Sequence, residues 1–172
     1  METTEKIVEA YVRYVKLWAT IPNIKCPGQY EIDLLALDPV NGDRYHIESG
    51  VSISGSYSKL TAKPYREEDL KTRVKAAGQR RTIGYFSERK FGAKPVLDTL
   101  NKYGFCKGNY CKIIVSWDWD EGADREANRR NIQLWDFREI LTEIADAFHK
   151  ERTYFTDDTL RTLQLFARAV KR

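Results

Sequence analysis

The stretch Tyr30-Glu-Ile-Asp-Leu-Leu-Ala-Leu37, the segment Asp38-Pro-Val-Asn-Gly-Asp43, and Arg44-Tyr-His-Ile-Glu-Ser-Gly-Val-Ser-Ile-Ser54 decide how this chain is read. The first and third runs carry strand residues in alternation, and Asn41-Gly42 between them is a strong hairpin-turn signal. In the first run Ile32, Leu34 and Ala36 share one face, and Asp33, Leu35 and Leu37 share the other. In the third, Ile47, Val51 and Ile53 point one way with Ser49 among them. His46, Glu48, Gly50 and Ser52 point the other way. An antiparallel pair turning at Asn41-Gly42 puts Asp33 opposite about residue 50, with Glu48 a near-diagonal neighbour. Two carboxylates that close repel unless a cation lies between them. Mg²⁺ or Mn²⁺, ions that take hard oxygen ligands, suit such a place.

Outward from the hairpin, the pattern alternates helices and strands. Ile7, Val8, Tyr11, Val12, Val15 and Trp18 predict an amphipathic helix over residues 3–19, stopped by Pro22. It offers Glu9, or Glu5 one turn earlier, as a third carboxylate. CPGQ at 26–29 reads as a turn or the tail of a short strand. Residues 55–66 read as a loop, 67–77 as a helix with Gly78 at its end, and 94–103 as a helix with Pro95 in its first turn. The apolar run at 111–117 predicts a buried strand, followed by a loop and short helix. A strand at 132–137, a helix at 138–150 and a last helix at 160–172 complete the chain. The expected architecture is a mixed β-sheet flanked by helices, one α/β domain over 1–172 with its core at roughly 3–150 and a helical extension at 157–172.

Composition narrows the function classes. The 172 residues are 42% hydrophobic and 31% charged, enough for one packed core. No apolar run approaches a membrane span, and the first fifteen residues lack a signal-peptide stretch. Three cysteines without a CxxC pair, beside two histidines, argue against a disulfide framework or a zinc ribbon. The expectation is an intracellular protein with reduced thiols. The net charge of +4 is unevenly spread: residues 1–55 carry −3, residues 56–112 carry +9 and residues 113–172 carry −2. Such a basic middle third suits a polyanion. Lys59, Lys71, Arg73, Lys75, Arg80 and Arg81 are the candidate phosphate contacts, with Tyr57, Tyr65, Tyr85 and Phe86 interleaved. An acidic protein partner would suit the same charge, and a homodimer stays open. No P-loop, GxGxxG, GxSxG or HExxH motif occurs.

With a helix bearing Glu9, then YEIDLLAL with Asp33, a turn, and YHIESG with Glu48, the chain resembles the PD-(D/E)XK nuclease superfamily, which has the restriction-endonuclease-like fold. KIIVSW and NIQLWDFREILTEI look like that fold's later strand, short strand and helix. The resemblance implies a magnesium-dependent hydrolase that cuts nucleic-acid phosphodiesters. Asp33, Glu48 and the backbone carbonyl of Ser49 would be metal ligands, with Glu9 assisting from the helix. The family pattern is Glu-X-Lys, and here the lysine position is Gly50. Three explanations are open: a relative that binds nucleic acid without cutting, a lysine removed by deliberate substitution, or a role that has migrated to Lys59, Lys71 or Lys75.

Overall fold

The computed structural model describes residues 2–53 and 59–170; Gly55, Ser56 and Tyr57, read above as part of a loop with a stacking tyrosine, lie outside the described residues. Five strands form one mixed sheet. They are β1 (Ala19–Cys26), β2 (Tyr30–Leu37), β3 (Arg44–Ser49), β5 (Cys111–Ser116) and β7 (Ile132–Asp136), in the order β1-β2-β3-β5-β7. The first three strands are antiparallel neighbours, whereas β3, β5 and β7 run parallel. Between β3 and β7 lie β4 (Lys59–Leu60) and β6 (Asp118–Trp119), which pair in parallel as a second small sheet.

The helices are α1 (Thr3–Ala10), α2 (Arg73–Gln79), α3 (Ile83–Tyr85), α4 (Lys94–Lys102), α5 (Glu121–Arg129), α6 (Phe137–Lys150) and α7 (Asp158–Val170). α1 runs on into a π turn at Tyr11–Val15, and α3 into a second at Phe86–Lys90. The expected mixed sheet with flanking helices is the observed α/β fold. On one face, Leu34, Ala36, Ile47, Ile113 and Val115 meet α1, its π turn and α6 through Val8, Val12, Ile140, Ile144 and Phe148. Phe155 and Ala167 join the same cluster, so α7 packs on this side. On the other face, Ile114 packs with Ile83, Phe86 and Phe91, while Leu35 packs with Val96 and Leu100 of α4.

Three local differences from the sequence reading matter. The helix predicted over 3–19 ends early, with Leu17 at φ 60°. The residues from Ala19 form β1, and its Pro22 is tolerated because β1 is an edge strand. Second, the β2–β3 register runs Leu34↔Ile47 to Leu37↔Arg44, leaving a loop of residues 38–43. Asp38 and Asn41 side chains accept from the Val40 and Asp43 amides, and the Gly42 amide bonds the Asp38 carbonyl. The turn therefore centres between Val40 and Asn41 rather than on Asn41-Gly42. Continued by one pair, this register sets Asp33 directly across from Glu48. Third, residues 67–77 are not one helix: a 3₁₀ turn at Glu67–Lys71 precedes α2.

Gly50 follows β3 and continues its pairing, its amide donating to the Val115 carbonyl at 2.8 Å. A Cβ at this position would lie 2.7 Å from Cζ of Phe86, whose ring is buried among Leu60, Ile83, Phe91 and Ile114. The glycine is thus a packing requirement of the ring above it. Gly50→Ala should destabilise the fold by about 1–3 kcal/mol, the usual range for overpacking. Gly50→Lys should do the same rather than restore a motif lysine. Chemical denaturation of Gly50→Ala, alone and with Phe86→Leu, checks this; a second substitution that recovers none of the loss would place the constraint elsewhere.

Candidate active site

Asp33 and Glu48 face each other across β2 and β3. The β1–β2 ladder is interrupted at Asn23, with φ 55°, across from Asp33. The Asp33 amide donates to Glu48 Oε1 at 3.4 Å, and the Ser49 amide donates to Asp33 Oδ2 at 2.8 Å. Each carboxylate is thus tied to the backbone of the other's strand. Glu48 and His46 have 0% exposure, and Asp33 has 7%. His46 Nε2 lies 2.7 Å from Glu48 Oε1. Burial takes the His46 pKa down to about 3, so the ring is neutral and donates this proton. Phe91 stands edge-on to the imidazole at 4.7 Å between ring centres and keeps it dry.

Lys90 supplies the cation. Its Nζ lies 3.0 Å from Asp33 Oδ1 and 2.6 Å from Glu48 Oε2, the latter an ion pair rather than an aligned hydrogen bond. The residue ends the π turn that extends α3, where Thr82 caps the helix start by accepting from the Tyr85 amide. Phe86 and Phe91 anchor the turn in the core on either side. Burial pushes Asp33 up to about 7, with the Glu48 charge adding to it and Lys90 and the Ser49 amide opposing it. Burial likewise pushes Glu48 up to about 7 against the pull of Lys90. Burial alone would lower the Lys90 pKa, yet Glu48 and Asp33 hold it above its ordinary value.

On the outer side of Asp33, Glu5 from α1 and Glu31 from β2 complete an acidic group, the three contributing carboxylate oxygens within 4.8 Å of one another. Burial raises the Glu5 pKa, with Asp33 and Glu31 contributing. Glu31 is lowered by its bond to Lys25. Of the two helix carboxylates considered, Glu5 stands beside Asp33. Glu9 instead accepts from Thr20 Oγ1 at 3.1 Å and faces Arg13. The donors are three carboxylates, Asp33 buried and Glu5 and Glu31 half-buried, and such hard oxygens fit Mg²⁺ or Mn²⁺ better than softer metals.

The basic candidates divide. Lys59 pairs with Asp118 and Lys75 with Asp69, and neither ammonium takes the place beside Gly50. Lys71, Arg73 and Arg80 are exposed. Arg81 turns inward, its guanidinium donating to the carbonyl of Gly50 and, at 3.4 Å, to that of Val51. It holds the end of β3 rather than facing solvent. Lys90 is not among the lysines that the sequence singled out; the signal for it is TIGYFSERKF, where Thr82 offers a cap and Ile83, Phe86 and Phe91 a buried stripe.

No protein-family model matches the chain, and no curated protein sequence matches it. Among solved structures it is similar to a repair endonuclease from Pyrococcus abyssi at 13% identity and a TM-score of 0.45. The likeness covers 79% of this chain and 47% of that one, so the chain spans about half that protein's length.

Removing the ammonium leaves two buried carboxylates to neutralise by protonation. A carboxylate whose folded pKa is raised contributes stability that is fully present below its unfolded pKa near 4 and is lost as pH rises through about 7. In Lys90→Met this loss should deepen. With chelator present, the variant should be close to wild type at pH 4.5 and less stable by about 3–5 kcal/mol at pH 8. Urea denaturation at both pH values measures it; an equal deficit at each would mean that Lys90 acts by packing alone.

Proposed function

We propose that the chain is a metal-dependent phosphodiesterase acting on nucleic acid at Asp33 and Glu48, with Lys90 in the role that the family pattern gives to a lysine at position 50. The observation that carries this reading is the Lys90 ammonium, in contact with both carboxylates although it comes from a different element. Asp33 and Glu48 would hold the ion, with the Ser49 carbonyl as a further oxygen and Glu5 and Glu31 on the outer side. A divalent ion so bound supplies an activated water and neutralises charge on the phosphoryl oxygens.

The chain's own groups have separate tasks. His46 fixes the rotamer of Glu48 by donating to Oε1, which keeps Oε2 turned toward Lys90. The Ser49 amide does the same for Asp33. Lys90 orients the attacking water and meets negative charge growing at phosphorus, a contribution worth roughly 10²–10³ in rate for one preorganised donor. Its long stem and small remaining exposure let the ammonium shift between carboxylate and phosphate oxygens. Lys71, Arg73 and Arg80, exposed on one stretch of chain, bind phosphates without reading bases.

Three measurements test the reading. Mg²⁺ or Mn²⁺ should raise the melting temperature of the wild type by mass action, and Asp33→Asn should abolish that increment. Lys90→Met should cut metal-dependent nicking of plasmid DNA or cleavage of RNA by at least ~10². Hydrolysis that survives both substitutions would place the active site elsewhere. Replacing Lys71, Arg73 and Arg80 with Ala should reduce the slope of log affinity against log salt by about 2–3, since each phosphate contact contributes ~0.7–0.9. An unchanged slope would move the phosphate contacts to another face.

A further inference from the structure

Behind the wall that Phe91 makes against His46 lies a cavity of about 570 Å³, on the same sheet face as the acidic pair but beyond the N-terminal end of β5. Its size falls within the roughly 300–1,000 Å³ common for small-molecule sites. The walls are aromatic and apolar, with Phe91, Phe105 and Tyr110 prominent, and the Phe105 and Tyr110 rings are 5.9 Å apart. Three cations, Lys107, Lys112 and Arg130, share the lining with Asn101 and Asn131, and among the described residues no carboxylate belongs to it.

Lys112 is the telling member. It sits on β5 in register with His46, half-buried, its Nζ 6.0 Å from the centre of the Phe91 ring. Burial lowers its pKa, and among the described residues no carboxylate offsets that burial. A half-buried ammonium without a counter-ion gives up part of its hydration, and an anion arriving in the cavity would compensate for it. Arg130 is pre-positioned beside it: Glu126 holds its Nε at 2.6 Å and Ser87 Oγ accepts from Nη1 at 3.0 Å. Aromatic walls, with Tyr110 tilted over the buried Phe105 ring, beside an unpaired ammonium and a fixed guanidinium fit one ligand chemistry, an aromatic ring carrying a phosphate.

The geometry points to a nucleotide-binding pocket, in which a base lies against Tyr110 and Phe105 and its phosphate meets Lys112, Arg130 and Lys107. The chemistry stands on the cavity alone. Only the source of the nucleotide, the 5′-phosphorylated end of a strand being processed, rests on the nuclease reading.

Isothermal titration of the intact protein with adenosine 5′-monophosphate, in chelator so that the acidic site takes no part, tests the pocket. Saturable binding is expected, weakened about tenfold to a hundredfold by Lys112→Met, which keeps the stem against Phe91 but removes the charge. Lys107→Glu, on an exposed loop residue that leaves folding alone, should weaken it in the same direction. Adenosine and inorganic phosphate should each bind more weakly than the monophosphate. Absence of saturable binding at millimolar ligand, affinity untouched by both substitutions, or equal affinity for adenosine overturns the pocket. A short single strand should displace the monophosphate better with a 5′-phosphate than without one; equal displacement overturns the strand-end assignment. None of these arms depends on metal or on Asp33, so loss of the nuclease reading and loss of the pocket are separately visible.

Discussion

A single ammonium shared by two buried carboxylates governs the arrangement around it. Asp33 and Glu48 lie opposite each other on adjacent strands, and the dry setting that brings them together penalises their charge. Lys90 offsets that penalty, and its own burial is offset by them in return. Neither half of the triad suits the interior alone. The pieces that deliver the lysine follow from this. Thr82 starts the helix, Phe86 and Phe91 fix it against the sheet, and Gly50 leaves room for the tip of Phe86. Had a lysine occupied position 50, the ring could not lie where it does, so the glycine and the lysine at 90 are two parts of one packing solution.

Much of this fold could be read from residue patterns because local signals and tertiary packing agree over most of the chain. The alternation in YEIDLLAL, the apolar run at 111–117 and the helix read over 138–150 correspond to β2, β5 and α6 within a residue or two, whereas the strand read over 44–54 ends as β3 at Ser49. What escaped reading was set by distant partners. β1 contains Pro22 and the left-handed Asn23, both poor strand residues, and it exists because the exposed edge of β2 is there to pair with. The hairpin register depended on Asx-type bonds from Asp38 and Asn41 that lengthened the turn and shifted its centre. The proximity of Asp33 and Glu48 was legible. Their common partner was not, since 42 residues separate Glu48 from Lys90 and no spacing rule spans that distance.

The basic middle third, likewise, does not act as one surface. Arg81 caps the backbone carbonyls at the end of β3, Lys90 neutralises the acidic pair, and Lys112 sits under aromatic rings. These three inward-facing cations serve three different purposes, Lys59, Lys75 and Arg89 pair with carboxylates at the surface, and a smaller set that includes Lys71, Arg73 and Arg80 remains to meet a polyanion as a diffuse field. Net charge summed over a segment therefore overstates the electrostatic footprint available to a ligand, and the structural sorting of each side chain corrects it.

The π turn at Phe86–Lys90 makes the reach of Lys90 a matter of chain length. A π turn holds one more residue than the α-helical turn it replaces, and residues beyond it are rotated by about 100° relative to an unbroken α-helix. Deleting one residue from this turn would let the helix relax to its ordinary pitch while swinging the following side chain off the sheet. Composition, charge and hydrophobicity would hardly change. A one-residue deletion there would part the ammonium from Asp33 and Glu48 more thoroughly than many substitutions at the surface of the same turn.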